Sequence, residues 1–196
     1  MGGDEAPEEG LIERGNRGLT PAELKALVRT VPDFPVPGIQ FRDITTLIGH
    51  GTGLAATVAW LAGQARSAHA EAIAGMEARG FIFGAAVAVE LGLGFVPVRK
   101  PGKLPVPTIG IDYHLEYGRD RLEIDPAAIL RGQKVVLVDD LIATGGTAVA
   151  AAQLLRQAGA AVERAAFVID LPDLGGAASL AAIGVDTAAL MAFPGH

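Results

Sequence analysis

The 196-residue chain has no cysteine, which excludes a disulfide framework, a thiol nucleophile and any zinc site built on Cys ligands. It has no excess of basic charge either. Sixteen Lys and Arg against 22 Asp and Glu leave a formal net charge of -6, and a general nucleic-acid or membrane-surface role needs a basic patch. That balance does not bar an anionic small molecule. Salt screens charges beyond about 8 Å, so a few local Arg and Lys residues decide such binding. The four histidines are scattered without metal-ligand spacing. Long apolar runs are also missing, and even residues 81–89 are too short to cross a bilayer. The chain opens Met1-Gly2-Gly3-Asp4-Glu5, acidic where a signal peptide is basic and then apolar. A cytoplasmic protein with no membrane or nucleic-acid partner is expected.

What is present suits one domain, since a chain of this length buries most of the surface its unfolded form exposes. Residues 1–17, rich in Gly, Glu and Pro, hold too few large apolar side chains to offset their ordering entropy, and a disordered tail is expected there. Residues 18–196 form the domain. Thr20-Pro21-Ala22-Glu23 combines an N-cap, a first-turn proline and a capping-box acid, predicting a helix over about 20–31 that Pro32, Pro35, Pro37 and Gly38 break. Residues 39–44 read as a short extended piece. Further helices are expected at 53–67, 83–91, 147–158 and 174–182, and strands at 72–74, 94–98, 135–138, 164–169 and 187–192. This alternation indicates an α/β fold with a mainly parallel sheet flanked by helices. Residues 100–120 break the rhythm with repeated Pro and Gly, as a functional loop does, and Leu122-Glu123-Ile124 alternates like one strand of a hairpin.

The most informative run is Val135-Val136-Leu137-Val138-Asp139-Asp140-Leu141-Ile142-Ala143-Thr144-Gly145-Gly146-Thr147. Its first four residues have the unbroken apolar pattern of a parallel strand covered on both faces. Asp139 and Asp140 then fall at the carboxyl end, where open α/β sheets place their ligands. Gly145 and Gly146 allow a tight turn that aims N–H groups at one anion, and the helix after them adds unpaired donors and partial positive charge. Thr144 and Thr147 supply hydroxyls. A nucleotide P-loop is excluded, because it needs Lys where Gly146 stands. Ionised carboxylates accept hydrogen bonds from vicinal hydroxyls, so acids beside an anion cradle suit a sugar phosphate. Taken alone, the acids also fit as turn caps and the glycines as turn closers.

The run resembles the phosphoribosyl pyrophosphate (PRPP) motif of type I phosphoribosyltransferases, and DDLIATGGT is similar to its form in the adenine-specific members. In hypoxanthine-type members an Asp usually stands in place of Ala143. The resemblance implies that Asp139 and Asp140 hold the ribose hydroxyls and that Ala143, Thr144, Gly145, Gly146 and Thr147 bind the 5-phosphate. It also implies a flexible lid loop and a small base-binding hood on the sheet. Glu77-Ala78-Arg79-Gly80 is similar to the family's pyrophosphate loop, giving Ala78 and Arg79 that role, and Arg99-Lys100-Pro101-Gly102-Lys103 adds Arg99, Lys100 and Lys103. Val106 departs from the small residue usual at its place.

His114-Leu115-Glu116-Tyr117-Gly118 resembles the lid motif, which makes Glu116 a catalytic candidate beside Arg79, with Tyr117 sealing the lid. Phe41-Arg42-Asp43-Ile44 resembles the base-binding segment. Phe41 would stack on adenine, Gln40 would meet it through its backbone, Arg42 would lie at the ring edge, and Leu171 would cover the other face. The implied reaction joins adenine to PRPP, giving AMP and pyrophosphate, with Mg²⁺ held mainly by PRPP and water and no direct metal ligand from the protein. A homodimer is implied as well. A transferase for xanthine or another base stays open, as does a non-catalytic PRPP-binding regulator.

Overall fold

Short β-rich runs separated by helices define the architecture of the computed structural model, which describes residues 19–115 and 118–195. In chain order the elements are α1 (Pro21–Ala26), β1 (Arg29–Pro32), β2 (Gln40–Asp43), α2 (Thr45–Ile48), α3 (Gly51–Ser67), β3 (Ala72–Met76), α4 (Arg79–Leu91), β4 (Gly94–Val98) and β5 (Ile109–Leu115). They continue with β6 (Gly118–Ile124), β7 (Lys134–Ile142), α5 (Gly146–Gln157), β8 (Ala161–Asp170), α6 (Gly176–Ala181) and β9 (Asp186–Ala192). Five strands form a wholly parallel sheet in the order β4-β3-β7-β8-β9. The expected tail, residues 1–17, lies outside the described residues.

The two faces of the sheet bury different sets of side chains. On one, Ile73, Val136, Val138, Ala166 and Val168 pack with Leu61, Phe83 and Val87 of α3 and α4, and with Leu24, Ile44 and Leu47. On the other, Ala74, Leu137, Ala165 and Phe167 pack with Ala151, Leu154 and Leu155 of α5 and with Tyr113, Leu122 and Ile124 of the β5–β6 hairpin. Covering both faces explains why β7 reads as a continuous apolar run rather than an alternating one.

The helix expected over residues 20–31 ends at Ala26, although its capping box forms: Thr20 and Glu23 bond each other's backbone N–H groups. Residues 29–32 instead form β1, antiparallel to β2. Pro32 disfavours helix for Val31 before it, and Arg29 pairs with Asp43 while Arg42 donates to the Thr30 hydroxyl at 2.6 Å across the ribbon. The long interval also has more structure than its Pro and Gly content suggests, because residues 109–124 are mostly an antiparallel hairpin.

The placement of β7 prepares the site. Its pairing with β3 stops at Val138, whereas its pairing with β8 continues to Ile142. Asp139 and Asp140 are therefore inside the strand, not beyond it, and they face the place where β3 has ended. Chain progression also reverses here, since β3–α4–β4 builds outward on one side and β7–α5–β8 on the other. Such a switch point opens a crevice at the carboxyl strand ends.

Candidate active site

A cleft of about 380 Å³ occupies that crevice, lined by residues 76–79 and 139–148. Nine of the expected site residues meet in it: Ala78, Arg79, Asp139, Asp140, Ala143, Thr144, Gly145, Gly146 and Thr147. Gly145 has φ +85° and precedes the first turn of α5, and a Cβ there would lie 2.9 Å from the carbonyl oxygen of Gly176, the first residue of α6. Only glycine meets both demands without strain. The turn thereby presents the α5 N-terminus, with its unpaired N–H groups, to the cleft.

The opposite wall is the loop from β3 into α4, where the Glu77–Ala78 peptide is cis. Gly80 permits α4 to approach β7 closely, since a Cβ there would stand 2.6 Å from Asp139 Oδ1. Arg79 Nε donates to Asp140 Oδ2, so the expected pyrophosphate and ribose groups touch. Asp140 is buried and Arg79 about half exposed. The Asp139 carboxyl accepts from the Asp140 N–H at 2.9 Å. Its pKa is pushed well above the ordinary value, first by burial and then by the charge of Asp140; the Asp140 N–H and the charge of Arg79 act the other way.

Behind this wall Glu77, a cleft residue that the sequence reading quoted without a role, organises the next cations. Its carboxylate accepts from Arg99 at 3.2 and 3.3 Å and from the Lys100 N–H at 3.1 Å, and Arg99 first and Lys100 second hold its pKa below the ordinary value. Arg99 also donates to the Lys103 carbonyl at 2.9 Å. Lys100 Nζ turns to the hairpin, pairing with Asp120 and donating to the Tyr113 hydroxyl at 3.2 Å. Burial opposes its charge, but Asp120 and Tyr113 more than offset this and its pKa is raised. The sequence reading did not find Tyr113 and Asp120. Their signal is the hairpin register, which sets them opposite one another.

Among the described residues, the cleft lining does not include the expected base-binding group. Phe41 packs edge-on to Phe34 with ring centroids 5.1 Å apart. Arg42 is held over the Phe193 ring at 4.7 Å and donates to the Pro194 carbonyl at 3.4 Å as well as to Thr30. Leu171 is buried just beyond β8 and its N–H donates to Ile142 at 3.0 Å, which sets it beside the cleft wall. Gln40 begins β2. Glu116 and Tyr117 lie outside the described residues. No group of three or more His, Asp or Glu side chains suited to a metal is found among the described residues.

A family model for the phosphoribosyl transferase domain matches residues 48–180, which contain this entire cleft. The chain belongs to the phosphoribosyltransferase family. It is similar to the adenine phosphoribosyltransferase of Erythrobacter litoralis, 74% identical over 178 residues that cover 91% of this chain and 100% of that relative. Among solved phosphoribosyltransferase structures, that of the adenine enzyme from Thermoanaerobacter pseudethanolicus superposes with a TM-score of 0.85 at 46% identity, covering 89% of this chain and 100% of that one. The Saccharomyces cerevisiae adenine phosphoribosyltransferase gives 0.82 at 36% identity, covering 87% and 98%, and was crystallised with adenine and an imino-altritol bisphosphate.

Proposed function

We propose that this chain transfers the 5-phosphoribosyl group of PRPP to adenine, releasing AMP and pyrophosphate in purine salvage. The observation that carries the reading is the juxtaposition of paired carboxylates and a glycine turn at the sheet's switch point, in a chain 74% identical to a curated adenine enzyme.

In this reading the turn at residues 143–147 binds the 5-phosphate through N–H groups and the Thr144 and Thr147 hydroxyls. Asp139 and Asp140 accept from the ribose 2- and 3-hydroxyls and favour positive charge developing on the ring. Ala78, through its backbone, and Arg79, Arg99, Lys100 and Lys103 receive the pyrophosphate as its bond to C1 lengthens. Adenine N9 attacks C1 from the opposite face. Phe41 and Leu171 cover the base, Gln40 meets it through its backbone, and Arg42 lies at its edge. Glu116 assists proton transfer at the purine while Tyr117 closes the lid against water.

Mg²⁺ fits this reading, because the phosphate oxygens of PRPP and water are what a hard cation takes without a protein cage, and no cluster of metal-ligating side chains is found among the described residues. It would neutralise charge on the leaving pyrophosphate. The chain is also assigned to the cytoplasm and to a homodimer, the latter supported by exposed apolar residues on α4.

The test is incubation with PRPP, Mg²⁺ and, in parallel, adenine, hypoxanthine, guanine or xanthine, with nucleotide and pyrophosphate measured. AMP from adenine alone is expected. Turnover of another base would change the substrate and keep the cleft, and PRPP binding with no product would point to a regulator.

A further inference from the structure

One buried hydroxyl connects the β5–β6 hairpin to Thr147 in the cleft and to Lys100, which the reading above assigns to the pyrophosphate. Tyr113 is 8% exposed and lies opposite Asp120 in the antiparallel register, so their side chains leave the same face of the ribbon. The Tyr113 hydroxyl donates to Asp120 Oδ2 at 3.0 Å, Lys100 Nζ donates to the Tyr113 oxygen at 3.2 Å, and Lys100 pairs with Asp120. On its other side the Thr147 hydroxyl, which lines the cleft, donates to Tyr113 at 3.5 Å. Lower down, the hairpin is fixed to the end of β4 by backbone: Arg99 and Glu123 exchange hydrogen bonds of 2.9 and 2.8 Å.

A solvated Lys–Asp pair would contribute little by itself. Here the pair is partly covered and shares a buried third partner that reaches the glycine turn. An ammonium carries three donors. Among the described residues Asp120 and Tyr113 take two of them, leaving one for an anion. The flexible lysine stem is thereby ordered before substrate arrives, which lowers the entropy cost of using it.

We propose that Tyr113 and Asp120 are positioning residues for PRPP: they hold the Lys100 ammonium and the Thr147 hydroxyl together for the substrate's phosphates, and so tie the pose of the hairpin to phosphate binding. This rests on the PRPP reading above. Neither residue touches the reacting atoms. Both act through Lys100 and Thr147, and the two strands that carry them flank Glu116 and Tyr117 in the sequence.

The test is steady-state kinetics on the full chain, varying PRPP and adenine separately, for Asp120→Asn, Asp120→Glu, Tyr113→Phe and Lys100→Ala, and for Asp120→Asn combined with Lys100→Ala. Asp120→Asn is expected to raise KM for PRPP about tenfold, the usual scale for losing a charged hydrogen-bond partner. KM for adenine should stay within about twofold, and Asp120→Glu should recover most of the loss. With Lys100 already removed, Asp120→Asn should add less than about twofold, because the two residues act as one unit. An unchanged or lowered PRPP KM in both Asp120→Asn and Tyr113→Phe overturns the proposal, as does an equal loss with and without Lys100. Tyr113→Phe removes one oxygen and keeps the ring, so the same comparison can be made in that pair if Asp120→Asn does not fold. A wild type inactive with adenine and PRPP sinks the functional reading and this proposal together, whereas an active wild type with unresponsive variants sinks the proposal alone.

Discussion

At Asp139, folding and the proposed ribose contact make opposed demands, because burial and the neighbouring Asp140 favour the protonated carboxyl while accepting from sugar hydroxyls would favour the ionised one. A carboxyl whose pKa is higher in the folded chain than in the unfolded one holds its proton more tightly when folded. Stability therefore falls as pH rises from the ordinary value of 3.8 through the raised one, and the penalty is constant above that. Asp139→Asn removes the penalty and retains an oxygen for the Asp140 N–H. The expected outcome is a variant with a higher Tm than wild type at about pH 8 and a smaller difference near pH 4, yet with kcat/KM for PRPP reduced by about 100-fold or more. Thermal melts across pH, read beside kinetics, check it; a lower Tm at neutral pH would show that the buried charge is fully compensated.

Among the elements, those with a strong local pattern were legible in the sequence and those decided by partners were not. The apolar run of β7 and the Thr144–Gly145–Gly146–Thr147 turn announced the cleft, because burial on both faces and a left-handed glycine leave direct marks on residue choice. Residues 29–32 carried no such mark. Their state depends on β2, with which they pair through Arg29–Asp43 and Arg42–Thr30. The same holds for Glu77, Tyr113 and Asp120, whose importance lies in contacts between segments distant in the chain. Asp43 shows how such a junction responds to pH. It joins β1, β2 and the start of α2, and hydrogen bonds from Thr45, then from Arg29, lower its pKa from 3.8 to about 2. A depressed carboxylate pKa contributes stability fully above the ordinary value and loses it as pH falls through the folded one. Asp43→Asn should cost about 1 kcal/mol at neutral pH, and the gap to wild type should close as pH falls from about 4 towards 2. Denaturant titrations at stepped pH would measure this, and a gap independent of pH would mean that shape rather than charge holds the junction.

For the whole molecule, the placement of α4 would link the cleft to the homodimer proposed above. Its first residue is Arg79, in the cleft, and its outer face carries Ile82 and Val89, 40% and 83% exposed. Seven residues apart, they fall on one side of the helix. Scattered surface apolar residues are ordinary, but two aligned on the helix that bears a cleft arginine suit a face covered by a second copy of the chain. Charge placed there would oppose burial far more than it would disturb the monomer, since Val89 touches little of its own fold. On the proposed dimer, wild type is expected at the mass of two chains in light scattering and Val89→Glu at that of one, with secondary structure unchanged by circular dichroism. If the dimer also steadies the first turn of α4, the monomeric variant should bind PRPP more weakly, and raising the protein concentration should restore both association and affinity in parallel. A wild type that is monomeric at all concentrations, or a Val89→Glu variant that remains dimeric, would remove α4 as the interface and leave Arg79 to be positioned by Asp140 alone.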